Sequence, residues 1–112
     1  MESERQFQDK VIAMAIMYGW KAHHVRPGMN SRGAWMTHVQ GHIGFPDLVL
    51  AHPDRGLIFA ELKADRGRLS PEQADWLQYL TATGAEAYCW RPRDFHFITQ
   101  RLAGVHKKDP DK

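Results

Sequence analysis

Cysteine is nearly missing from this chain: Cys89 is the only one in 112 residues. A single thiol excludes an intramolecular disulfide and a cysteine-based zinc site, and it fits a cytoplasmic, intracellular location. Long apolar runs are missing too, since none approaches the roughly 20 residues needed to cross a bilayer, and no membrane partner is expected. The opening Met-Glu-Ser-Glu lacks the basic-then-apolar order of a secretory signal. Charge of one sign is also scarce. The net charge is only +2, with 25% of residues charged, so a polyanion would be met by local clusters rather than by the field of the whole surface. No internal repeat is visible. What remains is an ordinary globular composition, 43% hydrophobic, in a length that suits one domain with a real core but not two. That domain is expected over residues 1–103, with 104–112 as a polar, charged tail.

The chain is organised around residues 44–63, GFPDLVLAHPDRGLIFAELK. Two apolar, β-rich runs, 47–51 and 57–62, flank His52-Pro53-Asp54-Arg55-Gly56. Pro and Gly in a short polar gap between such runs signal a hairpin. Pairing symmetric about Asp54 sets Asp47 opposite Glu61. Side chains alternate faces along a strand, so Glu61 and Lys63 point one way and Leu62 the other. Asp47, Glu61 and Lys63 then gather in one small volume among Leu, Val, Ile and Phe.

Burying charge there is costly unless the charges are paired or hold a metal. Two neighbouring carboxylates repel and tend to retain a proton unless a cation sits between them. An all-oxygen pair suits a hard ion such as Mg²⁺ or Mn²⁺, which keeps several waters and binds phosphate oxygens. Lys63 could then steer a water or offset charge developing on a phosphate. The plainer alternative is a surface hairpin with an ion pair between Glu61 and Lys63, worth little. The Gly-Phe-Pro-Asp lead-in and the spacing favour the metal reading.

Asp47 with Glu61-Leu62-Lys63 resembles the PD-(D/E)XK nuclease motif. A wider set resembles the virus-type replication-repair nuclease (VRR-NUC) family: Gly41-x-x-Gly44-Phe45-Pro46-Asp47, Phe59-Ala60-Glu61-Leu62-Lys63, Gly67-Arg68-Leu69-Ser70-Pro71-Glu72-Gln73 and Trp90-Arg91-Pro92. The similarity runs from about Ser3 to Leu102. Many related nucleases continue the last helix motif as Q-x-x-x-Y, but position 77 here is leucine, so no role is carried over from that tyrosine.

Residues 4–18 read as a helix, with Ser3 as N-cap and Gln6 in the capping-box position. Phe7, Val11, Met14, Ala15 and Tyr18 form its apolar stripe. Glu4 shares that face. A carboxylate is favoured at a helix N-terminus in any case, while the resemblance implies that Glu4 joins the metal site. Gly19 closes the helix and 20–26 reads as a strand, with His23 and His24 facing opposite sides. Residues 27–42 read as one long loop, of a length usually functional or mobile in so small a domain. It leads towards Asp47, with Arg26 and Arg32 as candidate phosphate contacts and Trp35 as a candidate for base stacking or subunit packing. The histidines of this half lack a zinc-ligand pattern. His38 is instead the candidate donor or proton shuttle near a phosphate.

Arg66 and Arg68 flank the exit of the second hairpin strand, as DNA-backbone contacts or as solvated turn charges. Ser70-Pro71-Glu72-Gln73 starts a helix, with Ser70 as N-cap, Pro71 at N1 and Gln73 completing a capping box. It is expected to run to about Thr83, with Ala74, Leu77, Leu80 and Thr81 inward and Gly84 as the stop. Capping alone explains Gln73, while the resemblance implies a place beside the active site. Residues 86–90 read as a strand parallel to the one before, with Cys89 as a small core residue, and 95–102 as a short last helix.

The element order implies an α/β fold, and it agrees with the restriction-endonuclease-like αβββαβ core of the resembling superfamily, a mixed central sheet flanked by helices. The resemblance implies a metal-dependent endonuclease that hydrolyses DNA phosphodiesters in a prokaryotic or phage-like setting. Asp47 and Glu61, with the Leu62 carbonyl and Glu4, would hold one or two Mg²⁺ or Mn²⁺ ions, and Lys63 and Gln73 would assist attack. Compact members resemble Holliday-junction resolvases, which act on four-way DNA as homodimers, and two opposed strands need two matched cuts. A domain this small also has little surface for reading sequence, which favours recognition of shape. Trp20, Trp35 and Trp76 are candidates for a dimer face, with core packing as the alternative. A flap, single-strand or restriction-like nuclease on the same fold, or a non-catalytic nucleic-acid-binding module, are the competing functions.

Overall fold

The computed structural model describes residues 2–25, 28–29, 35–36 and 39–104, with the backbone alone at 28–29 and 35–36. Helix α1 spans Glu4–Met17, and its capping box forms as expected: Ser3 Oγ accepts the Gln6 N–H while Gln6 Oε1 accepts the Ser3 N–H. Tyr18 is the C-cap rather than a helical residue. Phe7, Val11 and Ala15 of the expected stripe are buried, Met14 and Tyr18 are half-buried against them, and Gln8 is buried beside them.

Strand β1 covers only Lys21–His24. Trp20 precedes it and is 3% exposed, its indole N–H donating to the Leu102 carbonyl. A side chain so placed belongs to the core, so Trp20 supplies no dimer face. A short antiparallel ribbon, β2 (Gly28–Met29) with β3 (Trp35–Met36), stands where a single loop is expected. The Asn, Ser and Gly between them are residue types shared by loops and by tight chain reversals, so composition alone does not separate the two.

The remaining elements follow closely: β4 (Leu48–His52), β5 (Gly56–Leu62), α2 (Pro71–Ala82), β6 (Glu86–Trp90), a 3-10 turn (Pro92–Asp94) and α3 (Phe95–Ala103). The main sheet has the order β1-β4-β5-β6, with β1/β4 and β4/β5 antiparallel and β5/β6 parallel. Apart from the β2–β3 ribbon, this is the expected mixed αβββαβ core. The β4–β5 register pairs Leu48 with Ala60 and His52 with Gly56. Continued by one step, it sets Asp47 opposite Glu61.

Alternation divides the sheet into two faces. Leu48, Leu50, Ile58, Ala60 and Leu62 point to one side and are fully buried against Phe7, Val11 and Ala15 of α1 and Ile98 and Leu102 of α3. Each large side chain removed from water there contributes about 1.5–3 kcal/mol before entropy is counted. Asp47, Val49, Phe59 and Glu61 take the other side, under α2. Among the described residues of α2 none is fully buried. Its inward stripe also differs from the expected one: Ala74 and Thr81 are exposed, whereas Gln73, Trp76, Leu77 and Leu80 are half-buried. The Trp76 side of the helix packs toward the sheet through Phe45, whose ring meets both Phe59 and Trp76 edge-on. Cys89 is free and half-buried. Among the described residues no helix is long and apolar enough to cross a membrane.

Candidate active site

Asp47 sits on the bend one residue before β4. The lead-in to that bend passes the first turn of α2 at close range. Gly44 has φ +97°, and a Cβ there would lie 2.6 Å from the Glu72 carbonyl carbon. Only glycine satisfies both the left-handed backbone and the contact. Trp76 Nε1–H donates to the His42 carbonyl at 3.2 Å, fastening the same segment to the helix.

The two acids interlock across the hairpin. The Asp47 N–H donates to Glu61 Oε1 at 3.3 Å, and the Leu62 N–H donates to Asp47 Oδ1 at 3.1 Å. Each carboxylate is thus held by backbone of the opposite arm. Gln73 completes the arrangement. Its Oε1 accepts the Ser70 N–H at 2.9 Å in the capping box, and its Nε2 donates to Glu61 Oε2 at 3.0 Å. The cap fixes which way the amide faces, leaving the NH₂ aimed at Glu61. Capping and contact with the site are one act of the same side chain. Lys63 Nζ stands 3.8 Å from Glu61 Oε2, and His24 Nε2 stands 3.4 Å from Asp47 Oδ2.

Glu61 is 5% exposed. Burial, aided by the Asp47 charge and opposed by Lys63, pushes its pKa up to about 7. Burial also raises Asp47, against the Leu62 N–H and His24, which favour its charged form. Glu4 is exposed and accepts a 3.3 Å bond from Gln8 Nε2, yet its charge reaches both acids and raises each. These are two carboxyl groups short of a counter-charge. Among the described residues no three His, Cys, Asp or Glu side chains are grouped to hold a metal ion. The donor set therefore does not make a closed zinc-type cage. It does fit a hard cation that takes one or two protein carboxylates and completes its shell with water and phosphate oxygens.

The VRR-NUC domain family matches residues 5–93, well over half of the chain. The chain belongs to the VRR-NUC family. This is a nuclease family, which makes the site a candidate for nucleic-acid hydrolysis. No curated protein and no solved structure matches the chain. The VRR-NUC match contains Asp47, Glu61, Lys63 and Gln73 and begins one residue after Glu4.

Of the residues singled out in the sequence, Asp47, Glu61, Leu62, Lys63 and Gln73 come together, with Glu4 within electrostatic reach. Arg66 and Arg68 are exposed on the loop after β5. Arg26, Arg32 and His38 lie outside the residues whose side chains are described. His24 is a contact that the sequence did not single out. Alternation says only that His23 and His24 face opposite ways; the pairing of His24 with Leu48, next to Asp47, depends on β1 lying beside β4. Gln8, the partner of Glu4, was likewise hidden within an apolar stripe.

Proposed function

We propose that this VRR-NUC protein is a divalent-metal-dependent, structure-selective DNA endonuclease that hydrolyses phosphodiesters, cleaving four-way junctions as a homodimer. The observation that carries the reading is the interlocked pair: a buried and a half-buried carboxyl group, both of raised pKa, with a lysine on the same face. When bound, Mg²⁺ or Mn²⁺ supplies Lewis-acid chemistry, polarising a phosphate oxygen and lowering the pKa of a water. Asp47 and Glu61 would hold that ion, with the Leu62 carbonyl and Glu4 as the further ligands that the resemblance implies. Lys63 donates hydrogen bonds to the attacking water or to a non-bridging oxygen and offsets negative charge in the transition state. Gln73 orients Glu61, and His24 orients Asp47. Arg66 and Arg68 contact the DNA backbone.

Branched substrate and dimer rest on the family resemblance and on the need for two matched cuts in opposed strands. Purified protein is incubated with labelled four-way junction, flap, duplex and single strand, with Mg²⁺, Mn²⁺ or EDTA. Divalent-dependent cutting that favours the junction and vanishes in Asp47→Asn is expected. Equal activity in EDTA overturns the metal mechanism, and preference for flaps, single strands or specific duplex sites moves the protein to a different nuclease specificity.

A further inference from the structure

The loop that leaves β5 carries Lys63 at its start, Arg66 in its turn and Arg68 just beyond it, and one side chain makes most of the contacts that hold it. Arg91 Nη1 donates to the carbonyls of Ala64 at 2.7 Å, Gly67 at 2.6 Å and Asp65 at 3.3 Å. Two N–H protons serve three acceptors, the longest contact being shared. Arg91 is itself fixed. Its own N–H donates to Asp94 Oδ2 at 2.9 Å, closing the 3-10 turn after β6. The loop answers from its side, Asp65 Oδ1 accepting the Arg93 N–H at 3.2 Å. Within the loop, the Gly67 N–H closes on the Ala64 carbonyl at 3.0 Å.

A guanidinium gathering several carbonyls is a device for fixing a short loop, because its rigid, permanently charged fork makes stronger bonds than a neutral donor would. Arg91 is half-buried, whereas Arg66 and Arg68 are exposed. One cation is used to shape the loop while two are presented on it. We infer that Arg91 is a positioning residue: it sets the loop at 64–67 in the one shape that aims Arg66 and Arg68 together at successive phosphates of a nucleic-acid backbone. This rests on the nuclease reading only in taking DNA as the partner. Neighbouring phosphates are met at fixed spacing, so two arginines on a loosened loop lose the ordering that makes their contacts additive.

The test is binding, measured without cleavage. Fluorescence anisotropy of labelled four-way and duplex DNA is followed in EDTA across a range of salt. The proteins are the wild type, Arg91→Lys, the pair Arg66→Ala/Arg68→Ala, and the triple variant. Arg91→Lys is expected to weaken binding about tenfold and to lower the slope of log K against log salt by about one to two, as loss of up to two phosphate contacts requires. The triple variant is expected to bind like the pair, because the clamp acts through those two arginines. Wild-type affinity and slope in Arg91→Lys overturn the inference, as does a further about tenfold loss in the triple variant, which marks a structural role alone. Should Arg91→Lys fail to fold, Asp65→Ala loosens the same brace from its exposed side. A loss of about threefold, absent once Arg66 and Arg68 are removed, is then expected, and an unchanged salt slope sinks the idea. Failure of the nuclease reading looks different: wild-type protein binds DNA with the pattern above yet cuts nothing when Mg²⁺ or Mn²⁺ is added. Wild-type protein that binds no DNA overturns both.

Discussion

The two faces of the main sheet are made from alternate residues of the same strands, yet they do opposite things. On the α1/α3 face, Leu48, Leu50, Ile58, Ala60 and Leu62 are sealed in a dry core. On the α2 face, Asp47 and Glu61 hold charge at a cost, under a helix that among its described residues is nowhere fully buried. Beside that helix lies a groove of about 400 Å³ lined in part by Ile43, Trp76 and Tyr79. A period of two lets a short chain separate its purposes. Stability is concentrated on one side, and the other can carry groups that oppose folding.

The sharpest way to test that division is to alter one face and look for the effect in one property only. Asp47→Asn should lower cleavage about a thousandfold or more in single-turnover assays, by removing a proposed ligand to the cation. Its melting temperature should hold, because the amide oxygen can still accept the Leu62 N–H while repulsion with Glu61 disappears. On the opposite face, Phe7→Ala should cost about 3–5 kcal/mol in urea unfolding. Leu77→Ala, on the half-buried helix, should cost less than about 2 kcal/mol. Equal costs at the two positions would break the comparison.

The pH dependence separates the faces next. Glu61 has its folded pKa raised from the usual 4.5 to about 7, so the folded chain holds that proton more tightly than the unfolded chain. The stabilisation is complete below about pH 4.5 and is lost as pH rises to about 7, a swing on the order of 3 kcal/mol. Metal-free protein should therefore melt lower at pH 8 than at pH 5. Glu61→Gln should flatten that difference, and Mg²⁺ should raise the melting point at pH 8 far more than at pH 5. The smallest effect is expected at Gln73→Leu, about 10- to 100-fold in activity, measured beside a loss of about 0.5–1.5 kcal/mol for the bond from the Ser70 N–H. Activity unchanged there would reduce Gln73 to a cap.

Local signals carried much of this. The hairpin register was legible because Pro53 and Gly56 fix where the chain reverses, and the alternation then dictates that Glu61 meets Asp47. The Ser-Pro-x-Gln start of α2 was legible because capping is a short-range hydrogen-bond pattern. What escaped was long-range. His24 reaches Asp47 only because β1 pairs with β4 across 23 residues. The inward stripe of α2 includes Trp76, whose ring partner Phe45 lies outside the helix. The clamp by Arg91 spans more than 20 residues and ends on carbonyl oxygens, which no residue type reveals. The β2–β3 ribbon escaped for the opposite reason, since two-residue strands leave no period to read.

The central claim is that folding brings Asp47 and Glu61 into a poorly solvated pair that a divalent cation relieves. Carboxyl-carbon NMR of labelled glutamate, titrated with pH in the presence and absence of Mg²⁺, reads this at the atom concerned. Glu61 should titrate near pH 7 without the ion and well below that with it. A Glu61 midpoint at the ordinary 4.5, unmoved by Mg²⁺, would contradict it.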